Sequence, residues 1–260
     1  MKTIILSFDD AREDFYTNAF PLIQKYNLTA SLNVTTGFVN NLGVFDFPSG
    51  DNKAMSVEQI LNCYNNGIEI AGHGDKHLNT KDDILLNLSQ LKDYGINTDC
   101  IGFASPCSEL TNENKNFDGV WNLVEDGTLA YIRSGIQIRR EGFFYILFSI
   151  LDRCIHSKRL FYRLNKNNII SKRSKCKLLP SVTIFSYTTV DQLVYFIDKM
   201  QNNTAVIFML HSIISNKHPG YKKDKFYWNI KWFDEFIKHL SNKAKYNVVT
   251  TKQMVDDFYE

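Results

Sequence analysis

The sequence predicts an α/β protein built as a distorted (β/α) barrel of seven or eight parallel strands. Eight short apolar runs alternate with segments whose apolar residues recur at helical spacing, the pattern of successive βαβ units. The chain has 260 residues, 44% of them hydrophobic, which is enough for one barrel with a full core. We therefore expect a single domain over residues 1–260, interrupted by one insert at about 135–179.

The predicted strands are the eight apolar runs themselves. They cover residues 4–8, 30–34, 68–71, 100–104, 129–132, 182–185, 205–210 and 247–249. The predicted helices lie between and after them, at residues 15–26, 56–66, 84–95, 114–126, 190–202, 232–243 and 251–259. The helix at 56–66 has the clearest limits, because Ser56 is a good N-cap and Gly67 a good terminator.

Composition narrows the class of protein. The five cysteines are widely spaced and include no C-x-x-C pair, which favours reduced thiols over a disulfide framework or a zinc knuckle. The first apolar run is too short for a signal peptide. The longest apolar run, residues 143–151, is far below the roughly 20 residues of a membrane-spanning helix. A cytoplasmic protein is expected.

Side chains capable of catalysis or metal binding follow three of the predicted strands. Asp9 and Asp10 end the first, His73 and His77 follow the third, and His211 ends the run at 205–210. The ends of parallel strands meet at one edge of a barrel, where active sites are built. Adjacent strand residues point to opposite faces, so both acids can serve one site only if the chain bends there.

Each of these signals has an ordinary explanation when taken alone. Paired acids often cap a helix, two histidines four apart often share a helical surface, and a histidine after a strand is often a hydrogen-bonded core residue. Their coincidence at the same predicted edge favours a site, since the chain has six histidines and three of them lie there.

These residues resemble the motifs of the polysaccharide deacetylases, carbohydrate esterase family four. Ser7-Phe8-Asp9-Asp10 resembles the first motif, Thr-Phe-Asp-Asp, and the segment from His73 to His77 resembles the second, His-Ser/Thr-x-x-His. Residues 103–106, Phe-Ala-Ser-Pro, resemble the third, and residues 209–211, Met-Leu-His, the fifth. The resemblance spans residues 3–211 in the family's order.

The sequence departs from the family's pattern at several positions. Ala104 stands where many members have an arginine that holds the catalytic aspartate, Gly74 replaces a small hydroxyl residue, and Cys107 replaces a tyrosine. The fourth motif, which supplies a carboxylate near the acid histidine, has no counterpart around residues 186–191. Arg133, at the end of the strand at 129–132, is a candidate to orient Asp9 in place of the missing arginine; the alternative is a surface arginine paired with a nearby acid.

The resemblance implies a metal-dependent hydrolase that removes an acetyl group from an amino sugar. Asp10, His73 and His77 would hold one divalent ion, zinc in the first place, although nickel, cobalt or iron also suit this donor set. Asp9 would be the catalytic base and His211 the catalytic acid. Pro106, Cys107 and Arg133 are candidates for contact with the substrate, an N-acetylated saccharide.

Two other functions stay open from the sequence, and a third is weaker. The chain could be a catalytically impaired relative that binds a glycan, which Ala104 and the missing fourth motif favour. It could be a small-molecule amidase on the same scaffold. A nucleic-acid binder is not expected, because no recognised RNA or DNA motif accompanies the basic residues of the insert.

The insert concentrates the positive charge of the chain. Residues 139–177 contain eleven Lys or Arg and two acids, whereas the rest contains 19 basic and 26 acidic residues. Phe144, Leu147, Leu151 and Ile155 fall on one face of a predicted helix that continues past Arg163, with charged residues on another. Such a helix can lie on an anionic membrane at the inner face, presenting the site to a lipid-linked sugar. The alternative is that the apolar face packs on the barrel.

Overall fold

The computed structural model describes residues 1–42, 53–135, 143–172, 177–221, 223 and 225–259. Its strands are β1 Lys2–Phe8, β2 Ser31–Val34, β3 Glu69–Gly72, β4 Ile101–Ala104, β5 Leu129–Ser134, β6 Ile170–Ser171, β7 Leu178–Pro180, β8 Val182–Thr183, β9 Thr204–Leu210, β10 Ser212–Ile214, β11 Tyr227–Asn229 and β12 Tyr246–Val248.

Ten of these strands form one curved, mostly parallel sheet, which confirms the predicted distorted (β/α) barrel. The order β9-β1-β2-β3-β4-β5-β7 is parallel throughout. The chain passes from β7 through Ser181 into β8, and β8 pairs with β9 at the other end of that order. The sheet therefore curls back on itself and nearly closes. β12 adds to β1 in parallel, and β6 adds to β9 as the antiparallel edge.

Helices cover the outside of the barrel. They are α1 Phe20–Lys25, α2 Thr36–Val39, α3 Val57–Asn65, α4 Lys81–Asp93, α5 Asn122–Glu125, α6 Phe143–Ile155, α7 Lys158–Asn165, α8 Val190–Lys199, α9 Ile230–Leu240 and α10 Thr251–Tyr259. A π-helical turn, Phe15–Ala19, leads into α1. The predicted cap of α3 is confirmed, since the Ser56 side chain accepts a hydrogen bond from the Gln59 backbone N–H and the Gln59 side chain accepts one from the Ser56 backbone N–H.

The core lies between the sheet and these helices. The strands of the barrel are buried along almost their whole length, as expected of a parallel sheet covered by helices. Aromatic rings link the two layers: Phe8 contacts Phe15 and Phe233, and Phe208 contacts Phe196 and Phe236. This packing makes the strand ends a rigid platform for the side chains that follow them.

Two predicted helices differ in the structure. Residues 114–126 were expected to form one helix, but Asp118 and Gly119 have positive φ of 52° and 71°, and only α5, with a 3₁₀ turn before it, is helical. The single helix expected to run past Arg163 is also wrong. It breaks at His156, where φ is 47°, and Ser157 then caps α7 by accepting from the Leu160 N–H. Part of the predicted insert, residues 136–142 and 173–176, lies outside the described residues.

Among the described residues, no helix is both long enough and apolar enough to cross a membrane.

Candidate active site

The end of β1 delivers two carboxylates to one place. Asp9 continues the pairing with β9, since its N–H donates to the Leu210 carbonyl at 3.0 Å. Asp10 and Ala11 then take positive φ values of 79° and 60°, a conformation that non-glycine residues rarely adopt. This bend turns the chain sharply after Asp9, so both acids face the same site. Both are almost fully buried.

The two predicted metal-binding histidines lie on the loop between β3 and α4. Gly74 in this loop has a φ of 78°, and a Cβ there would lie 2.5 Å from the Asp83 Oδ2, which explains why neither Ser nor Thr occupies the position. Asp83 fixes the loop from the first turn of α4, because its two oxygens accept from the backbone N–H groups of Lys76 and Leu78 at 2.8 and 3.1 Å. His77 is held with a φ of 60°.

A hydrogen bond at Nδ1 of His73 leaves Nε2 of the same ring available to a metal ion. Its Nδ1 lies 2.8 Å from the Ala104 carbonyl oxygen, so Nδ1 is the protonated nitrogen and Nε2 carries the free lone pair. Position 104 lacks the arginine that many family members have, but its backbone carbonyl therefore still takes part in the site.

Asp10, His73 and His77 fit a single divalent ion. The His73 Nε2 lies 3.2 Å from the His77 Nε2 and 3.5 Å from the Asp10 Oδ1, and the His77 Nε2 lies 3.9 Å from that oxygen. Ligand atoms about 2.1 Å from a tetrahedral metal are roughly 3.4 Å apart, close to these separations. Among the described residues, this is the one group of three or more His, Cys, Asp or Glu side chains that satisfies such a geometry.

Arg12 fixes which Asp10 oxygen points to the histidines. Its Nε and Nη2 lie 2.9 and 2.8 Å from the Asp10 Oδ2, leaving Oδ1 toward His73 and His77. The same guanidinium donates from Nη1 to the Ser212 hydroxyl at 2.8 Å, next to His211. Nothing in the sequence singled Arg12 out, and it orients a predicted metal ligand.

Arg133 and Asn33 hold Asp9. The Arg133 Nη2 lies 2.6 and 2.7 Å from the two Asp9 carboxylate oxygens, and the Asn33 Nδ2 donates to Oδ1 at 2.7 Å. Arg133 is 1% exposed, so the alternative of a surface arginine is wrong. Asn33 was not identified from the sequence. Its position as a polar residue within the apolar strand β2 was the signal that could have indicated a role in the site. The catalytic role of Asp9 stays a prediction.

His211, which follows β9, lies next to Asp9. Its Nε2 is 3.8 Å from the Asp9 Oδ2, and its ring packs against Phe226 with centroids 4.8 Å apart. The Nδ1 is buried and has no hydrogen-bond acceptor within the described part of the chain. The carboxylate that the family's fourth motif supplies to this histidine is therefore not found among those residues.

The protonation of the site suits metal binding. Burial lowers the pKa of His77 to about 4, with His73 adding to the effect, so His77 is neutral at pH 7. Burial also lowers the pKa of His73, but Asp9 and Asp10 outweigh it and the pKa lies above its ordinary value. A metal ion competes with a proton for the His73 Nε2, and its affinity will therefore fall as the pH falls. Burial lowers the pKa of His211 despite the two acids nearby.

The predicted substrate contacts fall into two groups. Cys107 is exposed, and its partial burial, followed by Glu109 and Asp10, raises the pKa of its thiol. Pro106 and Arg133 are buried. Pro106 begins a short turn in which Cys107 and Ser108 both have positive φ, 52° and 56°, and its carbonyl accepts from the Asn79 amide at 3.0 Å. Contact of any of the three with substrate stays a prediction.

Comparisons with known proteins agree with this geometry. Residues 1–99 match the family model described as polysaccharide deacetylase, a segment that contains Asp9, Asp10, His73 and His77 but neither Arg133 nor His211. A search of curated proteins finds no significant match.

The fold resembles that of a solved structure. A family 4 acetyl xylan esterase from Clostridium thermocellum, in complex with a cobalt ion, has a TM-score of 0.52 and 16% identity, over 98% of this chain and 90% of that one. A peptidoglycan deacetylase from Bacillus subtilis has a TM-score of 0.48 and 14% identity, over 98% of this chain and 92% of that one. Residues 1–99 are thus similar to the polysaccharide deacetylases, and the chain shares its barrel fold with the Clostridium thermocellum structure.

Proposed function

We propose that this protein is a metal-dependent hydrolase that removes an N-acetyl, or similar N-acyl, group from an amino sugar in a glycan or a lipid-linked saccharide. The observation that carries the proposal is the arrangement of five side chains at one end of the barrel. Asp10, His73 and His77 form a three-ligand set. Asp9 and His211 lie next to these three residues. Neither is a proposed metal ligand, so each can accept or donate a proton.

The bound ion would supply one component of the chemistry. Zinc is our first choice, with nickel, cobalt or iron also compatible with one carboxylate oxygen and two imidazole nitrogens. Such an ion lowers the pKa of a bound water from 15.7 to about 7, which makes hydroxide available at neutral pH.

Asp9 is suited to accept the proton of the attacking water. Burial raises its pKa, but Arg133, His73 and His211 together bring it below the ordinary value, so the carboxylate is ionised at neutral pH. Arg133 and Asn33 fix its orientation. A positioned base contributes roughly 10²–10⁴-fold to the rate of such a reaction.

His211 is suited to protonate the leaving amine. Because its pKa is lowered, the neutral ring must first gain a proton. Asp9, whose Oδ2 lies 3.8 Å from the His211 Nε2, is the neighbour that can supply the proton it has just taken. The backbone N–H in the turn at Cys107 is our candidate to stabilise the oxyanion.

We expect Asp9→Asn and His211→Ala each to lower the turnover number about 10²–10⁴-fold while leaving one metal ion bound per chain, because both residues move protons and neither is a ligand. The measurements are acetate release from a panel of N-acetylated saccharides and elemental analysis of the same samples. Asp93→Asn and His156→Asn, at exposed positions away from the site, are the matched controls. Loss of metal in Asp9→Asn, or full activity in either site variant, would show that the roles are misassigned.

The same assay separates the proposal from its alternatives. A wild-type protein that binds metal and saccharide but releases no acetate would be a catalytically impaired glycan-binding relative, a reading favoured by the His211 Nδ1 that lacks an acceptor in the described part of the chain. Release from small acetamides but not from saccharides would instead identify an amidase.

A further inference from the structure

Helix α6 turns an apolar face toward solvent. Leu147, Phe148, Ile150, Leu151 and Ile155 are 38–61% exposed, and they make up five of the eleven exposed large hydrophobic side chains among the described residues. Their spacing of three and four residues places them on one continuous side of the helix. An exposed apolar surface of this kind is typical of a site that binds another surface.

The orientation of α6 is fixed by one buried polar residue at the border of this face. Asp152 is 5% exposed and accepts a hydrogen bond from the Gln192 Nε2 of α8 at 3.0 Å. Surface helices ordinarily bury apolar residues and expose carboxylates, and the described side chains of α6 do the reverse. The alternative that the predicted apolar face packs on the barrel is therefore wrong for Leu147, Leu151 and Ile155, whereas the side chain of Phe144 lies outside the described residues.

Positive charge is exposed on the next helix, α7. Arg159 and Arg163 of α7, and Lys166 just after it, are exposed and form no ion pair with other described residues. Lys158 differs, since it pairs with Asp191 at 2.7 Å. Over residues 143–172 the sole acid is Asp152, which is buried. The combined surface is apolar on α6 and basic on α7.

We propose that this combined surface, α6 with the basic side chains of α7, docks on an anionic lipid bilayer. An apolar helix face can enter the interface between headgroups and acyl chains while nearby Lys and Arg contact anionic headgroups. With thirteen residues α6 is too short to span a bilayer, which takes about 20, so it lies in the plane of the membrane. A second copy of the chain is a poorer partner, because it would bring two strongly basic segments together.

A row of side-chain contacts joins α6 to the candidate active site. Arg153 of α6 donates to the Tyr187 hydroxyl at 3.3 Å, and Tyr187 stacks on Phe185 with centroids 5.3 Å apart. Phe185 contacts Phe226, which packs on His211. Docking through α6 would thus hold the barrel and its site at the membrane. If the proposed function holds, on which this last step rests, a membrane-bound barrel suits an amino sugar carried on a lipid.

Sedimentation with vesicles tests the docking surface without any measurement of activity. Wild-type protein is mixed with vesicles of phosphatidylcholine alone, or of phosphatidylcholine with phosphatidylglycerol, at low and high salt. We expect it to sediment with the anionic vesicles and to be released by salt. Arg159→Gln/Arg163→Gln/Lys166→Gln is expected to weaken this binding about 100-fold, and Leu147→Ser/Ile150→Ser/Ile155→Ser to abolish it.

Matched controls separate the surface from general effects of charge and apolarity. Leu85→Ser/Leu86→Ser removes exposed apolar residues from α4, and Lys231→Gln/Lys238→Gln/Lys243→Gln removes exposed charge from α9 and just after it. Both should bind as wild type, with all variants folded by circular dichroism. Sedimentation that ignores lipid charge, or that the two α6–α7 variants leave unchanged, would overturn the proposal. A second copy of the chain would be the partner instead if wild type did not bind vesicles but formed a dimer in light scattering, and if the Leu147/Ile150/Ile155 variant were monomeric. That result would also overturn the proposal.

Discussion

His77→Ala is expected to abolish stoichiometric metal binding. The variant removes one of three ligands whose nitrogen and oxygen atoms already lie at separations close to those around a tetrahedral ion. Loss of a residue that merely supports a ligand costs roughly 10–100-fold in metal affinity, so loss of the ligand itself should cost more than about 100-fold. Elemental analysis after loading and desalting measures the metal content, and a competitive chelator titration measures the affinity.

A matched control is available at another histidine with positive φ. His156→Asn removes an exposed imidazole whose φ is 47°, and Asn tolerates that conformation. It should retain one ion per chain. Equal metal content in wild type and His77→Ala would contradict the assignment of the triad.

Arg133→Met is expected to move the acidic limb of the pH–rate profile to higher pH. Burial alone raises the pKa of Asp9, and Arg133 is the largest of the influences that bring it below its ordinary value of 3.8. Without the guanidinium, the pKa of Asp9 should rise, because an adjacent arginine favours the ionised form of an aspartate. The turnover number should also fall at neutral pH, because Asn33 alone then orients the carboxylate.

The same substitution should change how stability depends on pH. Because the folded pKa of Asp9 is depressed, its ionisation stabilises wild type above pH 3.8, the unfolded value, and that contribution is lost as the pH falls through the folded pKa. Arg133→Met should lack this contribution at neutral pH. Denaturant unfolding at several pH values measures the difference, and Arg153→Met, at an exposed arginine, is the control. An acidic limb that stays in place would show that Arg133 does not act on the base.

The sequence was sufficient to predict the barrel and the positions of the site's main residues. The apolar runs that end near Asp9, His73 and His211 predict a shared site, because parallel strands end at the same edge of the sheet. The three side chains meet only if that sheet curls into a nearly closed barrel. The bend needed to bring Asp9 and Asp10 to one site was also foreseeable, and the structure provides it through two residues of positive φ.

Other features depend on tertiary contacts that no local pattern reveals. Arg12 and Asn33 orient the two acids from positions set by strand register and by the turn after β1, not by a motif. The helix expected at residues 114–126 is interrupted at Asp118, a residue whose short polar side chain makes positive φ less costly. The outward apolar face of α6 was the least predictable feature, since helical periodicity fixes which residues share a face but not which face is buried.

The most direct test of the account is a metal titration of acetate release. Metal-free protein is supplied with increasing zinc, and in parallel with cobalt, in the presence of the N-acetylated saccharide that wild type deacetylates fastest. The account predicts no release without metal, a rate that rises to a plateau at one ion per chain, and no recovery by His77→Ala at the same metal concentrations. Release that is equally fast in the metal-free protein, or that His77→Ala matches, would contradict it.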